Sequence, residues 1–178
     1  MKTLFLFTTL FALSAAAGDA ELYIDKGACP GERCTYCSLY VAEKDIVLRK
    51  SPDMEAEEAG IIKAGDALVA RSGEVHVKPA KFNVYKDFNQ FKAGDDVFLL
   101  TYLGEGYFKI RHNGVESEGD FGFSPWGGSW DGKCDDAQLC FGGLDEGYEW
   151  TWWLYVTTEK SMYGWIPYSD DLRYTDPI

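Results

Sequence analysis

Apolar positions recur in blocks of strand length, separated by polar, Gly-containing turns. Asp45-Ile46-Val47-Leu48-Arg49-Lys50 predicts a short strand that runs into the Ser51-Pro52-Asp53 turn. A Glu- and Ala-rich loop covers 52–59, and Ile61-Ile62 resumes the apolar signal. Ala67 to Ala70 follows, and Glu74-Val75-His76-Val77-Lys78 alternates as a half-buried strand does before Pro79 ends it. The stretch from Phe82 to Phe91 is expected to bridge two halves. The strongest β signal comes next: Val97 to Leu103, a Gly104-Glu105-Gly106 turn, Tyr107 to Arg111, and a His112-Asn113-Gly114 turn. Periodicity fades over 116–147, which reads as a long Gly- and Asp-rich insertion. Strands return at Trp150 to Val156 and Tyr163 to Pro167, and no amphipathic helix of ordinary length is predicted, so the fold class is all-β.

One tetrapeptide, Lys63-Ala64-Gly65-Asp66, recurs as Lys92-Ala93-Gly94-Asp95, each time between apolar runs. Glycine at the third position suits a turn that needs positive φ. The repeat implies two small β units in tandem or one enlarged unit.

The ends and the charge narrow the setting. Residues 1–17 have the form of a signal peptide, with Lys2, an apolar stretch from Leu4 to Leu13, and Ala15-Ala16-Ala17 at the cleavage region. A periplasmic or secreted location is therefore expected, without stable membrane insertion. The 17 Lys and Arg against 29 Asp and Glu give a net charge of −12, and loss of Lys2 makes it −13. Nucleic acid is a poor partner for so acidic a chain. All five cysteines lie in the exported part, where disulfides persist. Cys134 and Cys140 can staple the insertion, while Cys29 can pair with Cys34 or Cys37, leaving one thiol over.

The order of these pieces resembles bacterial SH3-like (Src-homology 3) domains. The resemblance rests on Asp45 to Pro52 as opening strand and loop, Gly60-Ile61-Ile62-Lys63-Ala64-Gly65-Asp66-Ala67-Leu68-Val69 as the next element, Tyr107 to Gly114 as similar to the family's aromatic-Lys-Val-Arg strand and Asn-Gly turn, and Trp152 to Val156 with Gly164-Trp165-Ile166 as a closing hairpin. It covers roughly 40–115 and 148–170. It implies small SH3-like barrels: a Cys-containing lead-in at 18–39, a first unit at 40–80, a second at 81–170 that contains the 116–147 insertion, and a tail at 171–178. Elaboration of a single barrel is the alternative. In eukaryotic SH3 domains the first Trp of a similar pair and a Pro after the final strand line a peptide groove. Trp152 and Pro167 match those positions, whereas Asp170 stands where the family carries Tyr.

The candidate chemistry is sparse. His112 is expected to be exposed in its turn, and His76 lies in an alternating strand. Asp131, Asp135, Asp136, Asp145 and Glu146 cluster in the insertion without the calcium-loop spacing, and they read as a solvated acidic loop. Aromatic residues offer the better site. Period two puts Trp150, Trp152, Leu154 and Val156 on one face of their strand, and Trp153 and Tyr155 on the other. An aromatic surface for ligand binding is expected from Trp152, Trp153, Trp165, Pro167, Tyr102 and Tyr107, with Tyr168 beside them. The expected function is a non-catalytic binding or scaffold module of the cell envelope, with a peptide, peptidoglycan or protein partner and no cofactor. Two alternatives stand beside it: a small hydrolase using carboxylates of the insertion, and a carbohydrate-binding β-protein marked by Trp126 and Trp130.

Overall fold

The computed structural model describes residues 21–30, 36–125, 132–134 and 138–175. The chain is all-β, with thirteen strands and no helix among the described residues. The first five are β1 (Tyr23–Lys26), β2 (Leu39–Ala42), β3 (Ile46–Arg49), β4 (Glu58–Ile62) and β5 (Ala67–Lys78). Next come β6 (Ala80–Val84), β7 (Asp96–Gly104), β8 (Tyr107–His112), β9 (Val115–Asp120) and β10 (Gly142–Leu144). The chain ends with β11 (Glu149–Thr158), β12 (Tyr163–Pro167) and β13 (Leu172–Thr175).

Pairing is antiparallel throughout and makes two sheets. The first curls in the order β13-β2-β5-β11-β12-β3-β4, with β1 also paired to β5; the second runs β10-β6-β7-β8-β9. This differs from a tandem division near residue 80. The hairpin β11–β12 pairs with β5 and β3, so it closes the first sheet, and the whole second sheet is inserted between β5 and β11. Linear order could not reveal this, because the strand that completes β5 follows it by some seventy positions and its register depends on buried side chains.

Two further expectations change. The lead-in contains β1, held on β5 from Tyr23↔Val77 to Lys26↔Glu74. The insertion supplies β9 and β10, whose sequences VESEGD and GGL hide their strand character. Edge strand β9 buries little and needs few apolar residues, while Gly142 and Gly143 lie against neighbouring backbone: a Cβ on Gly142 would sit 2.3 Å from the Asn83 carbonyl oxygen.

Each sheet has its own core. Leu48, Ile62, Leu68, Val75, Val77, Leu154, Val156 and Ile166 fill the first. The second is rich in phenylalanine, with Phe82, Phe91, Phe108 and Phe121 in contact with Val97, Leu99 and Ile110. Phe82 and Phe108 meet Phe121 edge to face, an arrangement favoured by the ring quadrupole.

Both tetrapeptide turns are built alike. The Gly65 and Gly94 N–H groups donate to the carbonyls of Ala42 and Val84, the last residues of β2 and β6, at 2.7 and 2.9 Å. Three residues after each carbonyl, Asp45 and Asp87 accept from Ala64 N and Ala93 N at 3.0 Å and pair with Lys63 and Lys92. Both glycines have φ near +87°, at +89° and +85°. The repeat is thus structural, and it extends upstream to an aspartate in each copy.

A polar joint connects the sheets. Asp25 of β1 accepts from the Thr101 hydroxyl at 2.6 Å and pairs with Lys109 at 2.8 Å. The Tyr148 hydroxyl donates to the Leu100 carbonyl and accepts from Tyr102 N at 3.2 Å. Burial raises the Tyr148 pKa and keeps the phenol protonated. Both covalent connections are short, being Pro79 on one side and residues 145–148 on the other.

Candidate functional site

A groove of about 400 Å³ opens where β11 and the end of β12 approach the loop between β3 and β4. Met54, Trp150, Thr151, Trp152, Pro167 and Tyr168 line it. Its size falls in the range of small-ligand clefts, roughly 300–1,000 Å³. Trp152 forms the floor and is only 4 % exposed. Its ring lies 4.8 Å from Tyr168 and 6.3 Å from Tyr36, and its Nε1–H donates to the Tyr36 hydroxyl at 3.4 Å. The Tyr36 hydroxyl in turn donates to the Ala28 carbonyl. Burial is the main reason the Tyr36 pKa is raised. Tyr168 N donates to the Trp152 carbonyl at 2.7 Å, which fixes the wall on the floor.

Gly73 makes this arrangement possible. A Cβ there would lie 2.5 Å from the Trp153 carbonyl oxygen and 2.8 Å from the Tyr36 hydroxyl. Across the groove, Met54 is 56 % exposed at the tip of a turned loop. Lys50 N→Glu57 O at 2.9 Å, Arg49 Nη1→Ala56 O at 2.9 Å and Asp53 Oδ1 accepting from Glu55 N at 2.8 Å hold that loop. Asp53 and Glu55 flank Met54 in sequence and are exposed, so this rim carries negative charge.

The structure separates the aromatic residues expected to act together. Trp152 and Pro167 share the groove, and Tyr168 joins them. Trp153 projects to the other side of β11, where it is 2 % exposed with His76 at 6.1 Å between ring centroids. It is a packed residue, which corrects its place in an open surface. Tyr102 is buried in the second core, where its ring packs on Phe108 at 5.0 Å. Tyr107 is exposed but belongs to the second sheet, and Trp165 lies outside the first core beside Tyr155. Met54 was missed because it sits in a polar loop that gives no periodic signal.

The remaining candidates are also placed. His112 is half-buried and not fully exposed: it bonds Asp95 at 2.6 Å, while His76 bonds Glu74 at 2.7 Å. Cys134 and Cys140 form a disulfide, Cys29 is disulfide-bonded, and Cys37 is free and exposed. Cys34, Trp126, Trp130, Asp131, Asp135, Asp136 and residues 1–17 lie outside the described residues. Asp145 accepts from Asn83, and Glu146 faces Lys78 at 3.9 Å.

The second sheet contains the counterpart of the groove, and it is closed. The pairs Ala70↔Val156 and Leu99↔Ile110 correspond, so Gly106 stands where Trp152 does. The correspondence extends to a hydrogen bond: Phe121 N donates to the Gly106 carbonyl at 2.9 Å, as Tyr168 N does to Trp152. A Cβ on Gly106 would meet Gly122 backbone at 2.9 Å, and Phe121 is buried in the core. Aspartate 120 takes the position of Pro167. Among the described residues, the first copy of the repeated architecture therefore has an aromatic floor at Trp152, where the second has Gly106. No family model, curated protein or solved structure matches the chain.

Proposed function

We propose that the protein is a non-catalytic, exported binding module of the bacterial cell envelope, and that the groove over Trp152 holds an extended peptide. The ligand is a peptidoglycan stem peptide or an exposed segment of an envelope protein. The observation that carries this reading is the convergence of Met54, Trp150, Trp152, Pro167 and Tyr168 on one cleft. Aromatic and Met side chains gain by covering apolar groups of a ligand, and Met adapts to their shape. The acidic rim at Asp53 and Glu55 favours a basic residue beside that apolar anchor. The resemblance to SH3-like domains, whose eukaryotic members place a Trp and a Pro like Trp152 and Pro167 in a peptide groove, supports the same reading, although Asp170 stands where those members carry Tyr.

Titration of the mature chain with purified muropeptides tests the proposal, with a Lys-containing stem peptide as the basic ligand. Met54→Ala and Tyr168→Ala should each weaken binding by about tenfold, the loss of roughly 1.4 kcal/mol of contact. Both variants should keep the parental circular dichroism spectrum. Equal affinity in the parent and both variants would remove the groove from consideration.

A further inference from the structure

The outer face of the first sheet carries a second set of groups, none of which lines the groove, although Arg49 also holds the loop at the groove's rim. Register places Ser72, Tyr155, Trp165 and Arg49 in one row across β5, β11, β12 and β3. Directly opposed residues of antiparallel strands project to the same side. Their neighbours Leu154, Val156 and Ile166 are fully buried, so the row faces outward. A bulge between Tyr155 and Val156 adds Arg71 to the β5 end, where its Nε–H donates to the Thr157 hydroxyl at 3.0 Å. Thr157 pairs with Tyr163, which is 66 % exposed. Tyr155 and Trp165 lie side by side with ring centroids 5.3 Å apart and planes at 59°. Strands are about 4.8 Å apart, so the two arginines bracket the two rings over roughly 14 Å.

The charges on this face run against the rest of the chain. Arg111 and Arg173 each have a carboxylate within reach, at 3.4 Å in both cases. Among the described residues Arg49 and Arg71 have no carboxylate within 4.0 Å, although Glu58 pairs with Arg49 across β3 and β4. Among the described residues, Arg49 gives Nη1 to the Ala56 carbonyl, and Arg71 gives only Nε to Thr157. Guanidinium N–H groups thus remain on both sides of an aromatic pair, in a chain of net charge −12.

We propose that this face binds a carboxylate-bearing glycan, independently of the groove. A sugar ring has an apolar face of C–H groups that packs on Trp165 and Tyr155. Its carboxylate suits the planar fork of Arg71, whose Nη1 and Nη2 can donate two parallel hydrogen bonds to it. Ser72, Thr157 and Tyr163 offer hydroxyls to the sugar rim, and Arg49 meets a second acidic unit along the chain. An acidic peptide would satisfy the arginines and leave the rings unused, which is why a glycan fits better.

The test uses the mature chain, short oligogalacturonate as the acidic glycan, a malto-oligosaccharide as the neutral one, and poly-glutamate as the acidic peptide. Oligogalacturonate should bind saturably and alter tryptophan fluorescence. Arg71→Gln and Trp165→Ala should each weaken it by at least about tenfold, one charge-assisted bond or one stacked ring being worth that factor. Arg71→Lys should recover only part of the loss, and Met54→Ala none of the affinity should be lost. Circular dichroism checks the fold of every variant, and exposed Arg71 supplies the readout if Trp165→Ala unfolds. Three outcomes would overturn the proposal: no saturable binding of oligogalacturonate, equal binding of the neutral sugar, or poly-glutamate binding as tightly with Trp165→Ala without effect.

Discussion

Replacing Asp25 by Ala removes the acceptor at the centre of the joint between the sheets, and the structure sets the size of the loss. Thr101 is 1 % exposed, so its hydroxyl loses a charged acceptor where water does not replace it. A hydrogen bond to an ionised group contributes about 1.5–3 kcal/mol. The Lys109 side chain is 38 % exposed and rehydrates, which holds the ion-pair share to about 0.5–1 kcal/mol. The expected destabilisation is about 2–4 kcal/mol, a large part of the 5–15 kcal/mol typical of a domain. Urea unfolding followed by fluorescence and circular dichroism measures it. Asp25→Ala combined with Thr101→Val should cost less than the two changes added separately, because Val leaves no hydroxyl in need of a partner. Strict additivity, or a loss below about 0.5 kcal/mol, would refute the view that Asp25 couples the sheets.

Two further predictions concern the groove and the repeated turns. Gly73→Ala should destabilise the fold by about 1–3 kcal/mol and weaken ligand binding, because its Cβ would sit 2.5 Å from the Trp153 carbonyl; urea midpoints and the muropeptide titration read both effects. The carboxyls of Asp45, Asp66 and Asp87 are held below their ordinary pKa chiefly by Lys63, Lys160 and Lys92, and that of Asp95 first by Lys92 N, then by His112 and Asn113. A depressed folded-state pKa gives stability that is complete above the unfolded value, about 3.9, and is lost as pH falls through the folded one. Acid unfolding followed by circular dichroism should begin below about pH 4, and Asp66→Asn with Asp95→Asn should flatten the acid limb.

Local signals carried much of the fold. The alternation of Val75 and Val77 and the Asn113-Gly114 turn announced their strands, and the two tetrapeptides marked equivalent turns. Asp45 and Asp87 belong to those turns as well, but their distances from the tetrapeptides differ because β3 and β4 intervene in one copy only. Nesting was invisible for a related reason: Trp152 meets Val75 across a whole inserted sheet. For the groove, Trp152 and Pro167 were legible as a pair. Met54 was not, and Trp153 misled because alternation assigns a side of the strand without saying what packs there.

The insertion of one sheet within another also bears on synthesis. When Lys78 leaves the ribosome, β5 has no neighbour on the side that β11 will occupy, and that neighbour follows only after residues 80–144. The second sheet has all five of its strands by then and can fold first. Until β11 arrives, Val75 and Val77 lack Trp152 and Trp150 beside them, and a long strand edge stands open to wrong partners. A chain stalled before Glu149 should therefore contain one finished sheet and one that invites aggregation, an interval in which a chaperone has most to do.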